Sequence, residues 1–459
     1  MGRTRISIGV ALLAAAALTM VAHAQQSARP LTLNQAIQIA LKNNLSVRVA
    51  ATQLEEARGT TQRAHAPLLP RVNGDALANM QNRNLSVLGV SLPGMPTVVG
   101  PFAYYDFRAA ASQEIIDRQA FHDWKASQRE EQASKLDYQD SRDLVIRETA
   151  GLYLSAESAL AEVQASQSRI TTSEALETLA QDQHQEGLAT AVDVVRAQVQ
   201  LARDRQTLLA AQNSYQTSLL ALARFLGLSL RTPLRLAETL EFRRIEVPEI
   251  DAAVEAALQA RPDYRSLLAQ RAALVEQQKA SHARYYPRFS LSGDYGPMGR
   301  NFGTMPGIGE IQGTVSITIF DRDRKGEQQQ LAARVQRIDA QMQDLARGID
   351  QDVRKAELDI DTNAQQVVVS QDALALAQRE LQLSEDRFRN GVTDNIEVIT
   401  AQTSLDAAQD DLIAALAQHA DAVAALVRAL GSTEQNYEKY LGEAAAPAPG
   451  NITATGERP

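Results

Sequence analysis

The chain has 459 residues, 44% hydrophobic and 22% charged, with no cysteine and a formal net charge of −9. So acidic a balance disfavours nucleic acid as a partner, because phosphate binding calls for clustered lysine and arginine. The lack of cysteine excludes disulfides, thiol catalysis and lipid attachment at an N-terminal cysteine.

Arg3 and Arg5 precede an apolar run from Ile6 to Val21, which ends in Ala22-His23-Ala24. Small residues two apart after a short apolar core predict a cleaved signal peptide over 1–24, with the mature chain starting at Gln25. A membrane anchor would need about 20 uninterrupted apolar residues and would not account for the small-x-small ending. Cleavage removes two arginines and takes the formal charge to −11. No later stretch is expected to span a membrane as a helix.

A helix is predicted from Leu33 to His65, then strands over 71–82 and 102–115 with a Gly/Pro-rich connection. From Arg118 to Gln185 there is no proline and one interior glycine, Gly151. That predicts a helix of about 60 residues, on the order of 90 Å long. After Gly187 the residues Val194, Leu201, Leu208, Tyr215 and Leu222 fall every seven positions, a coiled-coil seam that should fold back on the long helix. The series then recurs: a helix from Ile250 to His282, strands over 288–295 and 311–320, and a long helix from Arg324 to Asn390. Gly391 follows, then a seam at Val398, Leu405, Leu412, His419 and Leu426. Gly296 to Gly309 is expected to form the loop between the second pair of strands, and Trp124 with Phe121 to pack between helices. Residues 444–459, rich in Ala, Pro and Gly, read as a disordered tail.

The recurrence holds residue by residue. Ala36, Ala40, Leu41, His65 and Pro70 match Ala253, Ala257, Leu258, His282 and Pro287, each 217 positions on. Asp117, Gly187, Val194, Ala197, Gln198, Leu201, Leu226 and Gly227 match Asp321, Gly391, Val398, Ala401, Gln402, Leu405, Leu430 and Gly431, each 204 on. Across the halves, 25–247 and 248–443, the offset therefore falls by 13 residues, and that length difference lies between Pro70 and Asp117, where a loop tolerates it.

The strands alternate: Phe289, Leu291 and Tyr295 against Ser290, Ser292 and Asp294, and Val315 and Ile317 against Thr314 and Ser316. Strands of about ten residues with one apolar and one polar face suit a tilted membrane crossing. Lipid cannot hydrate an open sheet edge, and single-chain barrels need about eight strands, so four strands must close with other copies or lie outside a membrane.

Two tandem halves, each with a strand pair ending in apolar-Asp (Ile116-Asp117, Phe320-Asp321), a very long helix and a Gly-x5-acid-Val-x2-Ala-Gln-x2-Leu motif, resemble the TolC-type outer-membrane efflux proteins. The motif is Gly187, Asp193-Val194, Ala197-Gln198 and Leu201, repeated as Gly391, Glu397-Val398, Ala401-Gln402 and Leu405. The resemblance implies a mainly α fold with membrane β: long antiparallel coiled-coil helices plus four strands per chain, in a homotrimer with a twelve-stranded barrel in outer-membrane lipid and a periplasmic helical tunnel. It implies a passive exit duct for small molecules, such as drugs or metals, or for proteins, delivered by an inner-membrane transporter through a periplasmic adaptor. Where many relatives carry glycines after the strand, this chain has Arg322, Asp323 and Arg324. By the same resemblance Asp193, Asp394 and Glu397 are candidates for the gate, with Thr400 where some relatives carry a second acid. Gly187, Leu188, Gly391 and Val392 are candidates for adaptor contact. The alternative is a periplasmic adaptor or a soluble coiled-coil scaffold, but an adaptor has one hairpin set in β-rich domains, whereas two are expected here.

Nothing points to an enzyme, a cofactor or a metal. His65, His122, His184, His282 and His419 show no metal-ligand spacing, and there is no phosphate loop or nucleophile elbow. His65 and His282 precede equivalent prolines, and polar packing at a helix end is preferred over a ring that binds metal or senses acid.

Overall fold

The structure, a computed structural model, describes residues 30–441 apart from 90–92, 95 and 432. The expected signal peptide and tail lie outside the described residues. The chain divides into two units, neither of which is one repeat. One is built from Val49–Asp140 and Leu258–Ile349, the other from Ser141–Ala257, the residues up to Arg48 and those from Asp350 onward.

In chain order the elements are β1 (Pro30–Leu31), α1 (Leu33–Asn43), α2 (Leu45–His65), β2 (Arg71–Asn84), β3 (Val98–Ile116), α3 (Arg118–Gln185), α4 (Ala191–Phe225) and β4 (Arg235–Leu236). The second half gives α5 (Ile250–Ala260), α6 (Pro262–Ala283), β5 (Arg288–Gly299), β6 (Gly307–Ser316), α7 (Asp323–Arg389), α8 (Asn395–Ala429) and α9 (Thr433–Leu441). The long helices have 68 and 67 residues and the heptad helices 35 each, so the repeat extends to element length.

In place of each first helix the structure has two. Asn44 takes an extended conformation between α1 and α2, and its buried amide donates to the carbonyl of Phe225 at 2.8 Å while its oxygen caps Ser46. In the second half Pro262 starts α6, which pushes Arg261 out of helical geometry. Gly227, just past α4, has φ +69 and lies so close to Asn43 that a Cβ would sit 2.9 Å from its carbonyl oxygen, so only glycine fits.

In the unit holding the sheet, β2, β3, β5 and β6 lie side by side in that order, all antiparallel. The strands run further than the sequence suggests. β3 begins at Val98, and β5 and β6 pair out to Pro297 opposite Gly307, leaving only residues 300–306 as the turn. The glycines read as loop signals serve close strand approach instead. A Cβ on Gly296 would overlap the carbonyl oxygen of Phe107, and one on Gly309 would meet the Tyr295 ring at 3.0 Å. β6 ends at Ser316, so Ile317 lies beyond the paired strand. In the same unit Ala133, Leu136 and Ala269 form a small core, and His65 stacks on Trp124 at 4.5 Å.

In the other unit the heptad pattern becomes the packing seam: Leu201, Leu222, Val398, His419 and Leu426 are buried. The α8 helix is, contrary to expectation, long and apolar enough to cross a membrane by composition, but 44% of the qualifying window is buried within the chain. His419 packs edge-on to Phe242 at 4.9 Å, and burial lowers its pKa, keeping the ring neutral.

Candidate functional site

Both helix reversals use one backbone device. Gly187 has φ +79 and Gly391 φ +65, in the left-handed region that glycine reaches without strain. Leu188 N–H donates to the Gln183 carbonyl at 2.8 Å and Val392 N–H to that of Arg387 at 2.9 Å. Gly187 and Gly391 donate to the carbonyls of His184 and Phe388 at 3.1 and 3.0 Å. These paired bonds satisfy the carbonyls at the end of each long helix and stop it. The side chains that follow, Leu188 and Val392, are 59% and 67% exposed. Beneath them Leu176, Ala180, Ala197, Leu381, Phe388, Val398 and Ala401 form a core drawn from all four helices. Full burial of Val398 alone contributes about 1.5–3 kcal/mol.

The three candidate acids are used differently. Asp193 is 5% exposed, and its carboxylate accepts from Thr190 N–H at 2.9 Å and Thr190 O–H at 2.7 Å, with Arg196 at 3.3 Å. Burial pushes its pKa up, but the Thr190 hydrogen bonds and Arg196 outweigh that, so the net shift is downward and the group stays charged. Asp394 is exposed and caps α8 through Ile396 N–H at 3.2 Å. Glu397 is 37% exposed, accepts from the Thr393 hydroxyl and lies 3.5 Å from Arg387. Two contacts that sequence reasoning missed join the tips. Asn395, fully buried, donates to the Asp193 carbonyl at 2.8 Å, and Gln183 donates to that of Arg389 at 3.2 Å. Asn395 has no polar counterpart in the first repeat, where Ala191 stands, so periodicity could not find it.

The sheet presents two chemically distinct faces, fixed by register. One carries Arg71, Asn73, Asp75, Asp106, Arg108, Ser290, Ser292, Asp294, Glu310, Gln312 and Thr314; the other Val72, Ala76, Met80, Tyr105, Phe107, Phe289, Leu291, Ile311 and Val315. On the polar face Arg108 forks onto Asp106 and reaches Asp294 on the next strand at 3.0 Å. Both outer strands, β2 and β6, have one neighbour only among the described residues. Among those residues no cluster of His, Asp and Glu is placed to hold a metal.

The chain thus combines a doubled helical hairpin, its reversals capped alike, with a sheet that has one wet and one apolar face. The described architecture agrees with solved channels: OprN at TM-score 0.76 and 20% identity, covering 87% of this chain and 89% of that one, and CmeC of Campylobacter jejuni at 0.77 and 17%, covering 89% of each. The outer membrane efflux protein family profile matches twice, over residues 36–228 and 253–432, and the chain belongs to that family. It is similar to the pyoverdine export outer membrane protein OpmQ of Pseudomonas putida, 26% identical over 412 residues covering 87% of this chain and 85% of that protein. It is also 24% identical over 416 residues to the toluene efflux pump outer membrane protein TtgC of the same species, covering 87% and 82%. The chain is an outer-membrane efflux channel of a tripartite system.

Proposed function

We propose that three copies close the four-stranded sheets into a twelve-stranded barrel, and that the helices continue it as a periplasmic tunnel through which a pump and adaptor expel small molecules. The observation that carries this reading is the sheet itself, whose polar and apolar faces suit a water-filled lumen and lipid but whose two edges are open. Lipid tolerates no such edges, and pairing β6 of one copy with β2 of the next removes them all. In this assembly the reversals at Gly187 and Gly391 form the periplasmic mouth, with Leu188 and Val392 offered to the adaptor and Asp394 and Glu397 lining the entrance. The similarity to a pyoverdine export protein and a toluene efflux pump protein favours small molecules as cargo. The mature protein should fractionate with the outer membrane and run as a trimer after cross-linking. Arg in place of Val315 should cost about 2–4 kcal/mol if it faces the bilayer midplane, and Arg in place of Thr314 much less. A soluble monomer, or equal loss of trimer from both substitutions, would refute the barrel.

A further inference from the structure

Between the two hairpins of one chain runs a buried polar seam that neither the tips nor the sheet explains. Arg169 of α3 has 6% of its side chain exposed and is held by three carboxylates: Glu162 at 3.2 Å on its own helix, and Asp406 at 3.2 Å and Asp410 on α8. Its guanidinium also donates to the backbone carbonyl of Asp406 at 3.2 Å. One turn along α3, the fully buried Ser173 donates to Asp204 of α4 and accepts from Gln402 of α8 at 2.7 Å. The Gln402 oxygen is buried and has no partner. Gln200 of α4 donates to the other oxygen of Asp204 at 3.0 Å. On α7, Lys355 and Asp359 border the groove that Glu162 and Asp410 also line, and at 3.5 Å they pair with each other. Arg147 and Asp421, also on that groove, pair at 2.9 Å.

The seam thus gathers Glu162, Asp406 and Asp410 around one guanidinium, with Asp204 a turn away on Ser173. Arg169 and Asp406 are largely shielded from water while Glu162 and Asp410 keep part of their surface wet, and three carboxylates on one guanidinium leave an excess of negative charge that protonation of the shielded acid relieves. We propose that the Arg169 seam is a proton-operated clasp that grips α3 to α8 more firmly as the periplasm acidifies and slackens near neutrality. Asp406 is the group that takes the proton. Burial, only partly opposed by Arg169, and the neighbouring Asp204, Asp410 and Glu162 push its pKa up to about 6, and burial and Asp410 likewise raise Glu162. A carboxyl that binds its proton more tightly in the closed seam than in water stabilises closure below its ordinary range, and that stabilisation is lost as pH rises through about 6. The clasp is formed by one chain, so it stands whether or not three copies assemble as proposed.

Hydrogen exchange of peptides covering 162–173 and 402–410 in the purified full-length protein, corrected for the chemical exchange rate, measures the grip. In the unaltered chain the seam should open at least threefold less often at pH 5.5 than at pH 7.5. Asp406→Asn, neutral at every pH and able to keep the Arg169 contact, should be protected at both pH values as the unaltered chain is at 5.5. Arg169→Lys keeps the charge but loses the fork, so it should open more at both pH values and retain the pH response. No pH response in the unaltered chain would overturn the clasp, as would an undiminished response in Asp406→Asn.

Discussion

The two tips share a backbone and differ in chemistry. Residues 183–188 and 387–392 make the same pair of hydrogen bonds around a left-handed glycine, yet the acid six positions after that glycine caps its own helix in the first repeat and stands half-exposed in the second. At Asp193 the carboxylate is consumed by Thr190, whereas at Glu397 a neighbouring acid, Asp394, has taken over the capping, which releases Glu397 toward solvent. The duplication preserved the element that stops a helix and left the charges free to diverge.

The largest effect that would test this comparison is on export. Leu188→Glu and Val392→Glu place charge on the two exposed residues of a common turn, and each should abolish drug or metal resistance while leaving the trimer level unchanged. Resistance lost with only one of them would show that the tips dock unequally. Next comes stability. Asp193→Ala removes a buried cap and should cost about 1–2 kcal/mol in denaturant unfolding, whereas Glu397→Ala should cost a few tenths; equal costs would erase the distinction. Asp193 also has the opposite acid response to Asp406. Its pKa is lowered, so its contribution is present at neutral pH and lost as pH falls below the ordinary carboxylate range, and Asp193→Asn should flatten that acid limb of the stability profile. Gly187→Ala and Gly391→Ala meet no atom within 4 Å but force a side chain into positive φ, so each should cost about 1 kcal/mol, alike in both repeats. The smallest effect concerns the pore. Glu397→Gln with Asp394→Asn should raise the trivalent-cation concentration needed to block bilayer conductance from the periplasmic side, and Asp193→Asn should leave it unchanged.

Much of this was legible in the residues. The seven-residue spacing of Val194 to Leu222 located the buried seam, the alternation after Ile311 located the sheet face, and glycine after a proline-free helix located each reversal. What escaped was set by partners distant in sequence. Asn44 breaks a helix because its amide finds Phe225, and Gly296 is strand because Phe107 needs the space. The Arg169 seam joins residues more than two hundred positions apart, and each of its acids alone reads as ordinary helix surface. At Asp193 the sequence offers a gate candidate, and the bonds from Thr190 that cap α4 appear only in the structure.

The interleaving of the two units bears on how such a chain comes into being. Because the unit with the sheet takes Val49–Asp140 and Leu258–Ile349, a nascent chain holding only the first repeat owns β2 and β3 but not β5 or β6. A lone hairpin of this kind is marginal in water and offers two sticky edges, so it must wait, unfolded or chaperoned, until the second repeat emerges. Expressed alone, either half should therefore aggregate rather than fold, and the pair co-expressed as separate chains should rescue one another. A repeat written twice in sequence is thus a single sheet in space, shared between its halves.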